Sequence, residues 1–305
     1  MKERNLGQSE LSVSTISYGC MSLGTDVSHA ESLLAKAVDL GITHFDTADL
    51  YDQGLNEELV GRILKPYRKD ITIATKVGNR FTPGEQGWTW APTKEYILQQ
   101  VDESLRRLQT DYIDLYQLHG GTMDDPIDEI IEAFEMLQQK GKIRAYGISS
   151  IRPNVIQTYV EKANIASVMM QYSLLDRRPE EWLDYLHDNG VSVIARGPLA
   201  KGLLATNGHD KRKHAIRQEG YLSYDGQELQ TTLSQLENHF PSKLTAASLQ
   251  YVLHHPAVAC VIPGASKLEQ LTDIAKTPSV DLTDDDIKFM KQLTKEDRYK
   301  NHRER

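Results

Sequence analysis

The sequence has few cysteines, no long apolar run and fewer positive than negative charges. Only Cys20 and Cys260 occur among its 305 residues, which excludes a disulfide scaffold and a zinc site with four cysteine ligands. No apolar run approaches the roughly 18 residues that span a membrane, and the first residues do not resemble a signal peptide. Its 35 Lys+Arg against 43 Asp+Glu give a net charge of −8, which argues against nucleic-acid binding. We therefore expect a cytoplasmic protein that binds neither nucleic acid nor membrane.

The rest of the composition is that of an ordinary globular protein. Apolar residues make up 39% of the chain and charged residues 26%. A chain of this length often forms two domains, but α/β barrels commonly use as much chain for one. Since no low-complexity stretch or Pro/Ser-rich linker divides it, we predict a single domain over 1–305.

Short β-branched runs alternate with amphipathic helical stretches eight times along the chain. The predicted strands are 14–19, 43–46, 71–76, 112–118, 143–148, 166–171, 191–195 and 258–263. The predicted helices are 28–40, 57–64, 93–108, 126–139, 153–162, 179–188, 227–239, 243–254 and 267–276. Ser28 and Thr93 are predicted to cap the helices that begin with them. Such alternation predicts a parallel sheet, and eight repeats favour closure into a (β/α)8 TIM barrel.

Some segments fall outside this alternation. Residues 2–13 predict a β-hairpin that plugs the bottom of the barrel, and 284–305 a helix with a charged tail. The connections at 77–92 and 198–226, after the third and seventh strands, are long, and the stretch after the seventh strand is predicted to be irregular. Since barrel enzymes carry their chemistry at the carboxyl ends of the strands, polar residues there are expected to share one pocket.

Four titratable residues of four types lie at or just after the ends of three adjacent strands. They are Asp46, Tyr51, Lys76 and His119. Each alone has a structural explanation: a helix cap, a half-buried aromatic, a solvated strand end and a histidine with its hydrogen bonds satisfied. Together they indicate a site, because core-facing strand ends are poor places for unpaired charge.

These residue types suit the protonation of an oxygen. An ammonium beside a tyrosine stabilises the phenolate and makes the hydroxyl a better acid, and a carboxylate keeps a buried ammonium from standing alone. A neutral imidazole can donate a hydrogen bond to a carbonyl and orient it. The sequence has no Ser-His-Asp spacing, Walker or GxGxxG loop, and we expect no metal site.

The segments FDTADLY, ITIATK, SLRRLQTDYIDLYQLH and VIPGASKLEQL resemble the aldo-keto reductase superfamily. The resemblance covers essentially the whole chain. It implies reduction of aldehydes and ketones to alcohols by NADPH, with Tyr51 as general acid, Lys76 and Asp46 tuning it and His119 orienting the carbonyl. It also implies a small-molecule carbonyl substrate and gives no sign of a required protein partner.

The resemblance further assigns residues to NADP(H), from the nicotinamide end to the adenosine end. The nicotinamide and its ribose would contact Gly19, Cys20, Met21, Asp46, Ser149, Ser150, Gln171 and Arg196. The pyrophosphate would contact Gly197, Pro198, Leu199, Ala200 and Lys201. The 2′-phosphate and adenosine would contact Gly264, Ala265, Ser266, Lys267, Gln270 and Asp273, with Lys267 the best phosphate candidate.

Three positions depart from the family pattern. Arg196 stands where many relatives have an aromatic that stacks on the nicotinamide, Ser150 where Asn is common, and Ile274 where relatives often have Asn. Arg196 can stack through its planar guanidinium but also brings a charge. Ile274 puts one adenine contact in doubt, although we still expect NADPH rather than NADH.

Two other features have alternative interpretations. The run Lys211, Arg212 and Lys213 is either a phosphate clamp or a solvated charge run, and Trp88 and Trp90 either line the substrate pocket or pack their loop. The function also has an alternative, a redox-sensing regulatory subunit that binds NADP(H) with little turnover.

Overall fold

A computed structural model describes residues 1–82, 84–218 and 220–304. The strands of the described part are β1 (Glu3–Asn5), β2 (Ser12–Ser14), β3 (Tyr18–Gly19), β4 (His44–Asp46), β5 (Thr72–Val77), β6 (Asn79–Arg80), β7 (Thr89–Trp90), β8 (Ile113–Leu118), β9 (Ile143–Ser149), β10 (Ser167–Gln171), β11 (Ser192–Arg196) and β12 (Val258–Ile262). The helices are α1 (Val27–Asp39), α2 (Leu55–Leu64), α3 (Lys94–Leu108), α4 (Ile127–Gln139), α5 (Pro153–Lys162), α6 (Glu180–Asp188), α7 (His209–Gln218), α8 (Gly226–His239), α9 (Leu244–Leu253), α10 (Leu268–Ile274) and α11 (Asp284–Leu293).

Eight parallel strands form the central sheet, in the order β3, β4, β5, β8, β9, β10, β11, β12. A parallel bridge between Ile16 and Val261 joins the first strand to the last, and the Tyr18 hydroxyl donates to the Ala265 carbonyl at 2.6 Å. The prediction of a (β/α)8 barrel is therefore confirmed. None of the helices in the described ranges combines the length and apolar character needed to cross a membrane.

The predicted hairpin is present at the amino ends of the barrel strands. β1 and β2 pair antiparallel, and the apolar side chains of the hairpin join a cluster inside the barrel. Leu6 and Val13 contribute from the hairpin, while Leu115, Met169 and Ile194 contribute from the strands. This apolar interior fills the bottom of the barrel and leaves polar groups to its upper rim.

Helix starts follow local capping chemistry, with one difference from the sequence prediction. The predicted cap of α3 is correct, because the Thr93 side chain accepts from the amide of Tyr96. The start of α1 differs: Asp26 rather than Ser28 is the cap and accepts from the amide of His29. The helix consequently begins one residue before Ser28.

The long connections carry more regular structure than the sequence predicted. The connection after β5 contains the antiparallel pair β6–β7. The connection at 198–226 contains α7, so its prediction as wholly irregular was wrong. Beyond α11 the charged tail crosses to two other elements: the Arg303 guanidinium pairs with Glu181 at 2.7 Å, and the amide of Asn154 donates to the His302 carbonyl.

Candidate functional site

A buried ion pair joins the ends of two adjacent strands. The Lys76 ammonium on β5 donates to Asp46 Oδ2 on β4 at 2.7 Å and to the Thr47 carbonyl at 2.7 Å. The Lys76 side chain is only 1% exposed. Burial is the largest single influence and alone would lower the pKa of this ammonium. The charges of and hydrogen bonds with Asp46 and Tyr51 together outweigh burial and raise the pKa above its ordinary value. Lys76 is therefore charged.

Tyr51 lies in a tight turn that follows β4. The Lys76 ammonium lies 3.3 Å from the Tyr51 hydroxyl, so one cation contacts both the carboxylate and the phenol. The two residues after Tyr51, Asp52 and Gln53, have left-handed φ angles of 48° and 53°. Such conformations are strained in non-glycine residues and are typical of functional sites, where the surrounding structure holds them in place.

His119 follows β8 on the other side of Lys76. Its ring meets the Tyr51 ring edge-on, with centroids 6.1 Å apart and an interplanar angle of 84°. Burial, followed by the positive charges of Lys76 and Arg196, lowers the pKa of His119 to about 3. Its imidazole is therefore neutral at physiological pH. Its Nδ1 atom is buried and has no hydrogen-bond partner within the described residues.

The four residues singled out in the sequence thus lie together at the carboxyl end of the barrel. Two residues that were not predicted also hold the cluster in place. Gln117 donates to Asp46 Oδ1 at 3.5 Å, and Thr47 bonds through its hydroxyl to Asn56 at 2.7 Å. Gln117 could have been found, because it lies two residues before His119 on the same inward face of a buried strand.

A groove of about 680 Å³ lies between the connections that follow β11 and β12. Of the residues assigned to the cofactor, it is lined by Gly197, Pro198, Leu199, Lys201, Gly264, Lys267, Gln270 and Asp273. Gly264 lies close to Ser22: a Cβ at this position would be 2.3 Å from the Ser22 hydroxyl, so a side chain here would require Ser22 to move. The groove is therefore bounded partly by backbone.

The three consecutive cations of the predicted clamp do not act together. Lys211 lines the groove, whereas Lys213 is exposed elsewhere on α7. Arg212 is buried: its guanidinium donates to the Leu203 and Ala205 carbonyls and pairs with Glu237. Arg212 is thus a structural residue, and only Lys211 keeps the phosphate-binding interpretation.

The residues assigned to the nicotinamide end and the remaining loop positions lie outside the lining of this groove. Four of them end barrel strands: Gly19 ends β3, Ser149 ends β9, Gln171 ends β10 and Arg196 ends β11. Cys20 is fully buried, whereas Met21 is 67% exposed.

The other assigned loop residues make local contacts. The Ser150 hydroxyl accepts from the amide of Arg152, and the amide of Ser266 donates to Gln270. Ala200 and Ala265 are buried. Asp273, which does line the groove, accepts a hydrogen bond from the Thr245 hydroxyl.

The two tryptophans of the loop after β5 differ in their surroundings. Trp90 is half-buried, donates from Nε1 to Asp125 at 2.8 Å, and packs its ring over Gly120, the residue after His119. Trp88 is 56% exposed. Gln53, two residues after Tyr51, donates to the Glu85 carbonyl and accepts from the amide of Gly84. The loop is therefore fastened to the turn that carries Tyr51.

The strand ends of this (β/α)8 barrel bring a buried ammonium to a tyrosine hydroxyl, with a neutral imidazole next to the tyrosine ring. Together with a groove at the same end of the barrel, this arrangement is typical of the barrel oxidoreductases. The chain belongs to the aldo/keto reductase family, whose model matches residues 15–295.

Several known proteins are similar to this chain over most or all of its length. A Bacillus subtilis (strain 168) protein described as uncharacterized oxidoreductase YqkF is 55% identical over 99% of this chain and 100% of its own. The L-glyceraldehyde 3-phosphate reductase of Escherichia coli (strain K12) is 31% identical over 90% of this chain and 86% of its own. Among solved structures, the holo form of aldo-keto reductase AKR11C1 from Bacillus halodurans is 52% identical with a TM-score of 0.91, covering 100% of both chains.

Removing the cation of the buried pair is expected to leave the Asp46 carboxylate buried without a partner of opposite charge. K76M should lower the free energy of unfolding by about 3–5 kcal/mol, and the double variant D46N/K76M should recover part of this loss. Chemical denaturation of both variants measures the difference. K94M, which removes a more exposed pair with Glu132, is the control and should cost less than about 1 kcal/mol. A double variant no more stable than K76M would contradict the ion-pair interpretation.

The neutral state of His119 can be tested directly by NMR. A pKa of about 3 keeps this imidazole neutral at pH 5, where an unperturbed histidine with a pKa near 6.5 would be mostly protonated. We expect its ¹⁵N resonances, assigned by their loss in H119Q, to stay unchanged from pH 8 to pH 5. Because the pKa is lowered in the folded state, this residue removes stability as the pH falls from about 6.5 towards 3. A midpoint above pH 6 would contradict this assignment.

Proposed function

We propose that this protein reduces aldehydes or ketones to alcohols with NADPH as hydride donor. The observation that carries the proposal is the Lys76 ammonium, which contacts both Asp46 and the Tyr51 hydroxyl. This contact lies at the same end of the barrel as the groove that follows β11 and β12. A tyrosine supported in this way is suited to donate a proton to a carbonyl oxygen as hydride reaches the carbonyl carbon. The substrate is proposed to be a small carbonyl compound.

The groove fits a phosphorylated dinucleotide. Three lysines, Lys201, Lys211 and Lys267, line it against two carboxylates, Glu269 and Asp273. The groove therefore has a small excess of positive charge, although the chain as a whole carries a charge of −8. Anionic phosphates would be drawn to this local positive charge. Gly264 lines the groove without a side chain, so a ligand can approach the backbone there. We assign the end of the groove at Lys267 to the 2′-phosphate.

In the proposed reaction each residue of the cluster has one task. Tyr51 donates its hydroxyl proton to the carbonyl oxygen, and Lys76 stabilises the phenolate that remains. Asp46 keeps Lys76 charged, and the neutral His119 donates a hydrogen bond that orients the carbonyl. Bound NADPH supplies the hydride from C4 of its nicotinamide ring. A proton from solvent then restores Tyr51.

A regulatory subunit that binds NADP(H) with little turnover is the alternative. Such a subunit would need the groove but not the cluster. Here all four residues of the cluster are present: Lys76 contacts Asp46 and Tyr51, and the His119 ring lies edge-on to the Tyr51 ring. The cluster favours the enzyme.

Loss of the tyrosine hydroxyl separates these two functions. Y51F should lower kcat for a small aldehyde by about 10²–10⁴-fold, the usual contribution of a general acid. The binding of NADPH, measured by the quenching of tryptophan fluorescence, should persist in Y51F. Y67F, which alters an exposed tyrosine, is the matched control. Turnover retained in Y51F would refute the assigned role, and negligible turnover in the unaltered protein across a carbonyl panel would favour the regulatory subunit.

We expect Lys267 to determine the preference for NADPH over NADH, because it is the residue assigned to the 2′-phosphate. K267M should weaken NADPH binding by about 10–100-fold, the contribution of a charged hydrogen bond, and leave NADH binding nearly unchanged. K213M serves as control, because Lys213 is an exposed cation outside the groove lining. Equal losses for both cofactors in K267M would place the 2′-phosphate elsewhere.

A further inference from the structure

The loop after β10 contains a buried ion pair that the proposed reaction does not use. Arg178 donates to both carboxylate oxygens of Asp176, from Nε and from Nη2, each at 2.7 Å. The Asp176 side chain is buried, whereas that of Arg178 is partly exposed. A carboxylate in such a place is stable only when it is paired and hydrogen-bonded, and the two parallel bonds hold it in one fixed position.

Asp176 fixes the side chain of Gln171 at the end of β10. Gln171 Nε2 donates to Asp176 Oδ2 at 3.0 Å, and Gln171 Oε1 accepts from Arg196 at 3.1 Å. A carboxylate only accepts hydrogen bonds and a guanidinium only donates them, so the Gln171 amide cannot be turned over. The amide keeps a second N–H and a second oxygen lone pair for other partners.

Gln171 lies beside the groove. A Cβ on Gly197, which lines the groove, would be 3.8 Å from Gln171 Cγ, the distance of ordinary van der Waals contact. The carboxamide of a nicotinamide ring has an N–H and an oxygen that match the N–H and lone pair left on Gln171. The fixed orientation of this amide therefore suits the contact that the resemblance assigns to Gln171.

The C-terminal tail covers the ion pair. The Arg178 guanidinium lies over the Tyr299 ring, 5.1 Å from its centroid, within the range of a cation–π interaction. Tyr299 is 5% exposed, and its hydroxyl has no hydrogen-bond partner among the residues that the structure describes, so the ring makes this contact. The Tyr299 amide donates to Glu181, which also pairs with Arg303. The tail is thus anchored where it meets Arg178.

We infer that Asp176 is a positioning residue for the nicotinamide end of the cofactor, and that Tyr299 of the C-terminal tail supports it through Arg178. This inference rests on the proposed function. Three contacts in series join the tail to the amide at the end of β10. If one of them is lost, Gln171 becomes free to change its orientation, and ordering it again on binding costs affinity. The tail thereby contributes to cofactor binding, although Tyr299 lies outside the groove lining.

The binding of two ligands to the same variants tests the inference. NADPH carries the nicotinamide, whereas adenosine 2′,5′-bisphosphate has only the adenosine end with its phosphates. D176N should raise the Kd of NADPH about tenfold, the contribution of a hydrogen bond to a charged group, because the new amide can offer Gln171 either an oxygen or an N–H. The Kd of the bisphosphate, also measured by calorimetry, should stay unchanged.

Two variants of the tail test the contact between Tyr299 and Arg178. Y299L removes the aromatic ring and should also raise the Kd of NADPH, by about three- to tenfold, without affecting the bisphosphate. Y299F keeps the ring and should bind both ligands as the unaltered protein does.

Two further variants are controls. R298M removes an exposed cation next to Tyr299 in the tail and should leave both dissociation constants unchanged. K267M alters the position assigned to the 2′-phosphate, which both ligands carry, and should weaken both.

Each other outcome has a distinct meaning. Equal losses for both ligands in D176N and Y299L would indicate a general structural effect, and would overturn the inference while leaving the reductase proposal intact. An unchanged Kd of NADPH in both variants would overturn it as well, and a raised KM for the carbonyl in that case would make the tail part of the substrate site. Y299F as weak as Y299L would contradict the role of the ring. An unaltered protein that binds neither ligand would instead refute the proposed function.

Discussion

The buried contact between Lys76 and Asp46 is the constraint on which the site depends. Charges this deeply buried are stable only when paired and hydrogen-bonded, and the Thr47 carbonyl and Gln117 supply the additional bonds. Those partners come from β4, β5 and β8, so the pair exists only when three neighbouring strands are in register. The barrel also keeps water away from the ammonium, which strengthens its influence on Tyr51. Fold and chemistry are linked through one interaction.

The sequence was sufficient for the architecture and for the cluster because both follow from local patterns and one topological rule. Apolar periodicity revealed the eight units, and parallel strands of a barrel bring their carboxyl ends to one rim, which gathers Asp46, Lys76 and His119. The cofactor assignments came from family resemblance, and their roles remain predictions. Gln117 was not predicted because it lies within β8, before the strand end at which the site residues were expected.

Other details could not be read from the sequence because they depend on tertiary geometry. Both Asp26 and Ser28 are good caps, and the path of the chain into α1 selects Asp26. α7 has almost no apolar face, so periodicity gave no signal for it. Successive residues of a helix point about 100° apart, so Lys211, Arg212 and Lys213 cannot share one target. Arg212 turns inward to carbonyls and Glu237, and the overall charge of −8 hides the lysines that remain in the groove.

Closure of the barrel has a consequence for how the chain folds. The hydroxyl of Tyr18 reaches the carbonyl of Ala265, 247 residues away, and Ile16 bridges to Val261 beside it. Contacts so distant in sequence are costly in loop-closure entropy and slow to form. During synthesis, β3 must wait for β12 to leave the ribosome before it gains its second neighbour. Until then the edges of an open sheet are exposed to other chains, so the period before closure is when this protein is most prone to aggregate.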